Sequence, residues 1–153
     1  MVGRYYHPMI NVLVTGGRTG VEKEVVWRAM DGIGWLLPDF NLGHGAAHGV
    51  DTFVEDWCKY HGVAYTRYPI DGRLDGFKSD APKLRNVRMF ECHQPEFLIA
   101  FPGGPGTRHA FKEAERRKIT ILDIDIDEVG DFSIYRLKPG TNPVIILTAE
   151  KDD

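Results

Sequence analysis

Cysteine is scarce in this chain: Cys58 and Cys92 are the two among 153 residues. Both fall in segments that read as helices, and neither has a partner at metal-ligand spacing. They read as buried thiols of a reducing compartment, with one disulfide as the alternative. Long apolar runs are also missing. The longest, around Ile10–Val14 and Phe97–Phe101, are strand-sized. They fall far short of the ~18 residues of a membrane span, so no membrane association is expected. The segment from Met1 to Met9, with Arg4, Tyr5, Tyr6 and His7, lacks the apolar core of a secretion signal. Positive charge is not in excess: 19 Lys and Arg stand against 22 Asp and Glu, for a net charge of −3 at pH 7. Nonspecific DNA or RNA binding usually leaves a basic surplus, and none is present overall. No internal repeat is evident. The expectation is a single cytoplasmic domain over residues 1–153.

Glycine, by contrast, is abundant. Seventeen residues are glycine, where ordinary usage of ~7% would supply roughly eleven. They follow no three-residue period, which excludes a collagen-like chain. With 42% hydrophobic and 27% charged residues the composition is that of an ordinary globular chain. The glycines therefore serve the backbone geometry of a folded domain.

Short apolar runs alternate with helical patterns along the chain. Ile10–Val14 reads as a buried strand ending in Thr15-Gly16-Gly17, and Val21–Met30 as a helix. Pro38 to Leu42 leads as a second strand into the turn Gly43–Gly49. Val50–His61 carries Val50, Phe53, Val54, Trp57 and Cys58 at i, i+3, i+4, i+7 and i+8, a helical stripe closed by Gly62. A third strand, Val63–Tyr68, precedes a polar loop from Pro69 to Ala81 and a helix over Pro82–Cys92. Phe97–Phe101 is a fourth strand, Thr107–Lys118 a helix and Ile119–Leu122 a fifth strand. Apolar rather than alternating strands in this order predict an α/β, Rossmann-like three-layer fold with a mostly parallel sheet of about five strands. Its core would span about residues 10–123. Phe132–Leu137 and Val144–Thr148 predict a C-terminal hairpin or edge extension within residues 124–153.

In an open parallel sheet, ligands bind beyond the carboxyl ends of the strands, where the strand order reverses. Eleven of the seventeen glycines fall in four loops that follow predicted strands: Gly16, Gly17 and Gly20; Gly43, Gly45 and Gly49; Gly72 and Gly76; Gly103, Gly104 and Gly106. The run Phe97 to Thr107 takes a strand through Pro-Gly-Gly-Pro-Gly-Thr into a helix. Such a turn presents free N–H groups, and the helix dipole adds positive charge, so phosphate binds there without a lysine. Thr107 can cap the helix or bond a phosphate oxygen. Just upstream, Arg85, Asn86 and Met89 share a helix face, and Arg85 can meet an anion with a planar fork of donors. Arg88 and Lys83 read as solvated. His44, His48 and Asp51 lack a firm metal spacing, so no metal or other cofactor is expected. Asp51 instead caps or braces the following helix, and His44 or His48 is a candidate ligand contact. The alternation of Asp123, Asp125 and Asp127 reads as the solvated face of an edge strand.

A strand ending in Thr-Gly-Gly-Arg, a Gly-His-Gly-(five residues)-Asp turn, Leu-Arg-Asn-(two residues)-Met and Ala-Phe-Pro-Gly-Gly-Pro-Gly-Thr occur in that order. Together, over roughly Asn11 to Leu122, they resemble the YspA-type proteins of the SLOG superfamily. That group is similar to the LOG phosphoribohydrolases, often labelled lysine-decarboxylase-like, and more distantly to DNA-processing protein A. The resemblance implies a nucleotide or nucleotide-derived ligand with its phosphate on Gly103, Gly104, Gly106 and Thr107. Gly16, Gly17, Arg18, Gly43 and Gly45 would form the rest of the rim. In the LOG enzymes an arginine before the loop and a glutamate three residues after its threonine carry N-glycosidic bond cleavage. Here Arg85 and Asn86 fall where those enzymes have Arg-Lys, and Ala110 occupies the glutamate position. Alanine cannot protonate a leaving base. Catalysis would fall to Arg85 with His109 or Glu113.

A complete phosphate cradle with an incomplete catalytic set points to binding or sensing of a phosphoribosyl-containing ligand. The alternatives are a LOG-like phosphoribohydrolase acting on nucleoside monophosphates and, less in keeping with the charge, a single-strand DNA binder. LOG relatives pair through helices near the site, which implies a homodimer.

Overall fold

The central strands read as unbroken apolar runs because alternate residues face two different cores. The computed structural model describes residues 9–148, so all but Met9 of the N-terminal segment weighed above as a secretion signal lies outside the described residues, as does the tail beyond 148. In chain order the elements are β1 (Ile10–Thr15), α1 (Lys23–Leu36), β2 (Phe40–His44), α2 (Val50–His61), β3 (Tyr65–Arg67), α3 (Gly72–Asp75), α4 (Ala81–His93), β4 (Phe97–Ala100), α5 (Pro105–Arg116), β5 (Thr120–Ile126), β6 (Phe132–Leu137) and β7 (Val144–Thr148). Val12 and Val14 of β1, Ile99 of β4 and Leu122 of β5 pack under α1 and α2. Their neighbours Leu13, Leu98 and Ile121 pack on the opposite face with Met89, Phe90 and Ala114 of α4 and α5. Each fully buried Leu, Ile or Phe contributes about 1.5–3 kcal/mol. The result is a Rossmann-like α/β fold with helices on both faces of one sheet.

Sheet order is β3-β2-β1-β4-β5-β6-β7. The first five strands are parallel, and β6 and β7 add antiparallel at one end as the expected hairpin. The strand order reverses between β1 and β4, which are neighbours. That pair creates the crevice of a doubly wound sheet.

Several boundaries differ from expectation for tertiary reasons. Helix α1 runs to Leu36, past the expected end at Met30, and takes in Gly32 and Gly34. A Cβ on Gly32 would collide with Leu147 of β7, so the glycine makes room for the added strand. Strand β2 takes in Gly43 and His44, and β3 is only three residues long. Helix α5 starts at Pro105, with Gly106 and Thr107 inside its first turn. Strand β5 continues through Asp123 and Asp125 to Ile126 and pairs with β6, so the expected core boundary near residue 123 falls inside it. These aspartates are therefore not on an edge strand. Asp123 is half-buried, and burial, with Asp125 beside it, holds its carboxyl above the usual range. Gly62 closes α2 in the left-handed conformation, as expected. Both cysteines are free thiols: Cys58 is buried, its thiol pushed up to about 12 by burial, while Cys92 is exposed.

Candidate functional site

The loops that leave β1 and β4 meet over the crevice. The Gly17 N–H donates to the Pro102 carbonyl at 2.9 Å. Contact this close leaves no space for side chains: a Cβ on Gly17 would come within 3.1 Å of that carbonyl, and one on Gly103 would strike Thr107 and stand 2.7 Å from the Gly17 nitrogen. Gly16 packs against the side chain of Val50, 2.6 Å from where its Cβ would sit. From below, the Val50 N–H donates to the Gly17 carbonyl at 3.1 Å, which ties the start of α2 to the loop.

Gly104 and Gly106 are different. Neither has a positive φ, and a Cβ on either meets nothing within 4 Å among the described residues. The fold does not require glycine there. Gly104 is the N-cap of α5, and no side chain caps that helix. Its first intrahelical bond runs from the Arg108 N–H to the Gly104 carbonyl at 3.0 Å. The N–H groups of Gly106 and Thr107 therefore lie ahead of the hydrogen-bond ladder and point out of the helix end. Thr107 sits inside the first turn and does not cap it.

These groups border a cleft of about 740 Å³. Gly16, Gly17 and Arg18 line it from the first loop, and Gly103, Gly104, Gly106 and Thr107 from the second. Asp51, Arg85 and Asn86 complete the wall. Thr19, Ser79 and Lys83 also line it. Lys83 read as solvated, but its place in the first turn of α4, two residues before Arg85, brings it to the rim.

Gly43 and Gly45, expected on the rim, are not among the lining residues. Gly43 is a strand residue of β2, and its missing side chain makes room for the His93 ring, 3.0 Å from where a Cβ would stand. His93 is buried, which lowers its pKa. Its Nε2 lies 3.0 Å from the Asn41 carbonyl, and its Nδ1 2.8 Å from the Tyr68 hydroxyl. Gly45 serves as the seat of Arg85, whose guanidinium stands 2.8 Å from its missing Cβ. Arg85 Nη1 donates to the carbonyls of Gly45 at 2.5 Å and Tyr68 at 3.2 Å, and Nε donates to Asn86 Oδ1 at 3.0 Å. Among the described residues Arg85 forms no salt bridge. Burial is the main influence on it and lowers its pKa, against Asp51 and Asp75. Asn86 in turn donates from Nδ2 to the Gly106 carbonyl at 3.3 Å and lies 3.2 Å from His109 Nδ1.

Asp51 braces the loop before α2 rather than the helix itself. Its Oδ2 accepts the N–H groups of Gly45 and Ala47, each at 3.2 Å. Burial raises its pKa, opposed first by His44 and then by these N–H groups and Arg85. His44 is buried at the end of β2, not in the cleft. Its Nδ1 accepts from the Ala46 N–H at 2.9 Å, so its proton is on Nε2, facing Glu55 Oε1 at 3.0 Å. His48 is exposed on the same loop and is not among the lining residues either.

Neither catalytic substitute reaches the cleft wall. Ala110 is 1% exposed, beneath α5. His109 points to Asn86, and burial lowers its pKa. Glu113 is held by Arg116 and by Arg117 Nε at 2.8 Å, and the Arg116 bond holds its carboxyl below the usual range. One helical turn of separation carries it to α5's arginine cluster instead of the loop.

No curated protein matches the chain. Among solved structures it is similar to UDP-GlcNAc 2-epimerase from Neisseria meningitidis bound to UDP-GlcNAc, at 15% identity and a TM-score of 0.48. That match covers 77% of this chain and 32% of the other, so the chain spans about a third of that protein's length. Residues 10–74, which carry the Gly16–Gly20 loop, Gly45 and Asp51, match the model of the family described as YspA, cpYpsA-related SLOG. Over β1 to α3, the chain is thus similar to the YspA, cpYpsA-related SLOG family.

Proposed function

We propose that this protein binds or senses a nucleotide or nucleotide-derived ligand whose phosphate lies on the amino end of α5. The observation that carries the reading is glycine at 104 and 106, where neither φ nor packing asks for it. A phosphate resting on the N–H groups of the first turn needs that space, and the helix end supplies positive potential. Arg85, with no carboxylate partner among the described residues, and Lys83 and Arg18 add positive charge to the same wall. A second cleft of about 640 Å³, beside Phe40, Trp57 and His61, opens where α1 and α2 end. Helix carboxyl ends repel anions, so that cleft does not suit phosphate.

Titration calorimetry with adenosine 5′-monophosphate and inorganic phosphate tests the reading. A double Gly104→Ala/Gly106→Ala variant should lose at least tenfold in affinity. Its unliganded stability should hold or rise, because alanine restricts the unfolded chain by about 0.4–1 kcal/mol per site at compatible φ/ψ. Wild-type protein that binds neither probe, or a variant that binds as the wild type does, would sink the reading.

Binding is favoured over hydrolysis because Glu113 is occupied by Arg116 and Arg117, and Ala110 has no proton to give. Single-strand DNA binding is weakened because Arg67 and Arg88 are neutralised by Glu55 and Asp75. The two free thiols support a cytoplasmic, reducing setting. We also read the chain as a homodimer paired beside the cleft. Leu74 on α3, Phe77 in the loop that follows it and Leu84 on α4 are exposed, Phe77 by 93%. Light scattering at micromolar concentration should give twice the chain mass; a monomer refutes the pairing.

A further inference from the structure

The two clefts of this sheet are lined by opposite charge. The second, of about 640 Å³, lies at the amino edge of the strands, where Phe40 begins β2 and helices α1 and α2 end. Its described lining residues include two carboxylates, Asp31 and Asp39, and neither lysine nor arginine. Helix α1 has no basic residue in its last turn, so no side-chain cation of its own offsets the partial negative charge at its carboxyl end. Carboxylates and helix carboxyl ends both attract cations. The volume falls within the range of small-molecule sites, about 300–1,000 Å³.

One face of α1 supplies the parts of a site. Asp31, Gly34 and Trp35 stand at i, i+3 and i+4, so they are neighbours on the helix surface, and all three line the cleft. The buried Trp57 indole N–H donates to Asp31 Oδ1 at 2.8 Å, and His61 Nε2 stands 3.5 Å from the same oxygen. Both contacts use Oδ1, and the Asp31 side chain is 59% exposed, so a ligand can reach the carboxylate. Trp35 is 92% exposed and offers an indole face to a cation. Gly34 is an independent sign that something enters. It lies inside α1, where glycine is less favourable than alanine. Its φ is not positive, and a Cβ there would sit 3.6 Å from the Trp57 ring, an ordinary contact. The fold would accept alanine at 34, and the missing side chain keeps the cleft open beside Trp57.

We propose that this cleft binds a small organic cation, a protonated amine on an apolar body, with its ammonium group at Asp31 and Trp35. The apolar body lies against Leu37, Phe40 and Val63, which line the same cleft. The ammonium group pairs with the Asp31 carboxylate that Trp57 positions, and the Trp35 ring adds a cation–π contact. Because the site lies at the opposite edge of the sheet from the phosphate cleft, it does not rest on the phosphate reading.

The test uses two probes that share one body: 2-phenylethylamine, protonated at neutral pH, and 2-phenylethanol, its uncharged counterpart. Titrations of the wild-type protein are followed by NMR through the indole N–H signals. Trp27 donates to the Phe53 carbonyl and is not among the lining residues, so it serves as the internal control. The Trp35 and Trp57 signals should move while that of Trp27 stays, with the amine favoured about three- to thirtyfold, the range for an exposed ion pair plus a cation–π contact. Asp31→Asn keeps an oxygen for the Trp57 N–H and removes the charge. Its preference for the amine should shrink by about threefold or more, with 2-phenylethanol binding unchanged within about twofold. Gly34→Leu fills the cleft and should weaken both probes by about tenfold or more. Its melting temperature should hold or rise, because leucine favours the helix. Equal binding of amine and alcohol by the wild type overturns the cation site, and this comparison depends on no variant. A preference undiminished in Asp31→Asn, or Gly34→Leu binding as the wild type does, also overturns it. So does a titration in which neither probe moves the Trp35 and Trp57 signals.

Discussion

Gly49→Ala is expected to lower the unfolding free energy by about 4 kcal/mol, combining backbone strain of about 1–3 kcal/mol with overpacking of similar size. Gly49 has φ 84° and ψ −126°, a conformation that residues with a Cβ rarely adopt. A Cβ there would strike the Gly17 and Arg18 carbonyls, which are backbone atoms and cannot rotate away. At roughly 2–4 °C per kcal/mol for a chain of this size, the melting temperature should fall by about 8–16 °C. The same change pushes on the loop that Val50 holds through Gly17, so affinity for adenosine 5′-monophosphate should fall with it. Calorimetric melting compared with Gly104→Ala, which meets open space, isolates the effect. A Gly49→Ala protein that melts within about 3 °C of wild type would contradict the geometry.

Glu55→Ala should cost about 3 kcal/mol at neutral pH, the lower end for breaking a buried ion pair because Arg67 is itself well exposed. Glu55 is buried on α2 and joins His44 of β2 to Arg67 of β3. Removing it strands the Nε2–H of His44, which is buried beside the cleft's supporting loop. The pH dependence has a definite sign. The hydrogen bonds from Arg67 hold the Glu55 carboxyl at about 2, below its ordinary 4.5, against the opposing pull of burial. A depressed folded pKa contributes stability that is present above about 4.5 and is lost as pH falls toward about 2. Wild type and Glu55→Ala should therefore differ most at pH 7 and converge through that window in urea unfolding. A gap that stays constant from pH 7 to pH 2.5 would show that the loss comes from packing alone.

How much of this was legible in the residues follows from what each signal depends on. The strand runs Ile10–Val14 and Phe97–Phe101 were readable because both their faces are buried, which leaves no polar alternation. The Pro-Gly-Gly-Pro-Gly-Thr turn was readable because close loop contact and a helix start demand special residues at fixed offsets. The helix expected over Val21–Met30 stopped short of Gly32 and Gly34, which lie inside α1. A glycine inside a helix is locally unfavourable, and only the arrival of Leu147 from β7, more than a hundred residues later, explains Gly32. Asp123 and Asp125 looked like an edge strand because the pairing of β6 on β5 is not visible in local pattern.

Sequence alone determined the fold class, the order of the elements, and the grouping of glycines after strands, since these follow from local periodicity and backbone freedom. Tertiary structure decided which of those glycines face the cleft. Gly43 and Gly45 turned out to seat His93 and Arg85, while Gly104 and Gly106 face open space. It also decided that Glu113 belongs to an arginine pair and that one oxygen of Asp51 has no donor among the described residues. The physical reason is the same in each case. A residue's chemistry is written in its side chain, but its partners are set by elements far away in sequence that the packed sheet brings within 3 Å.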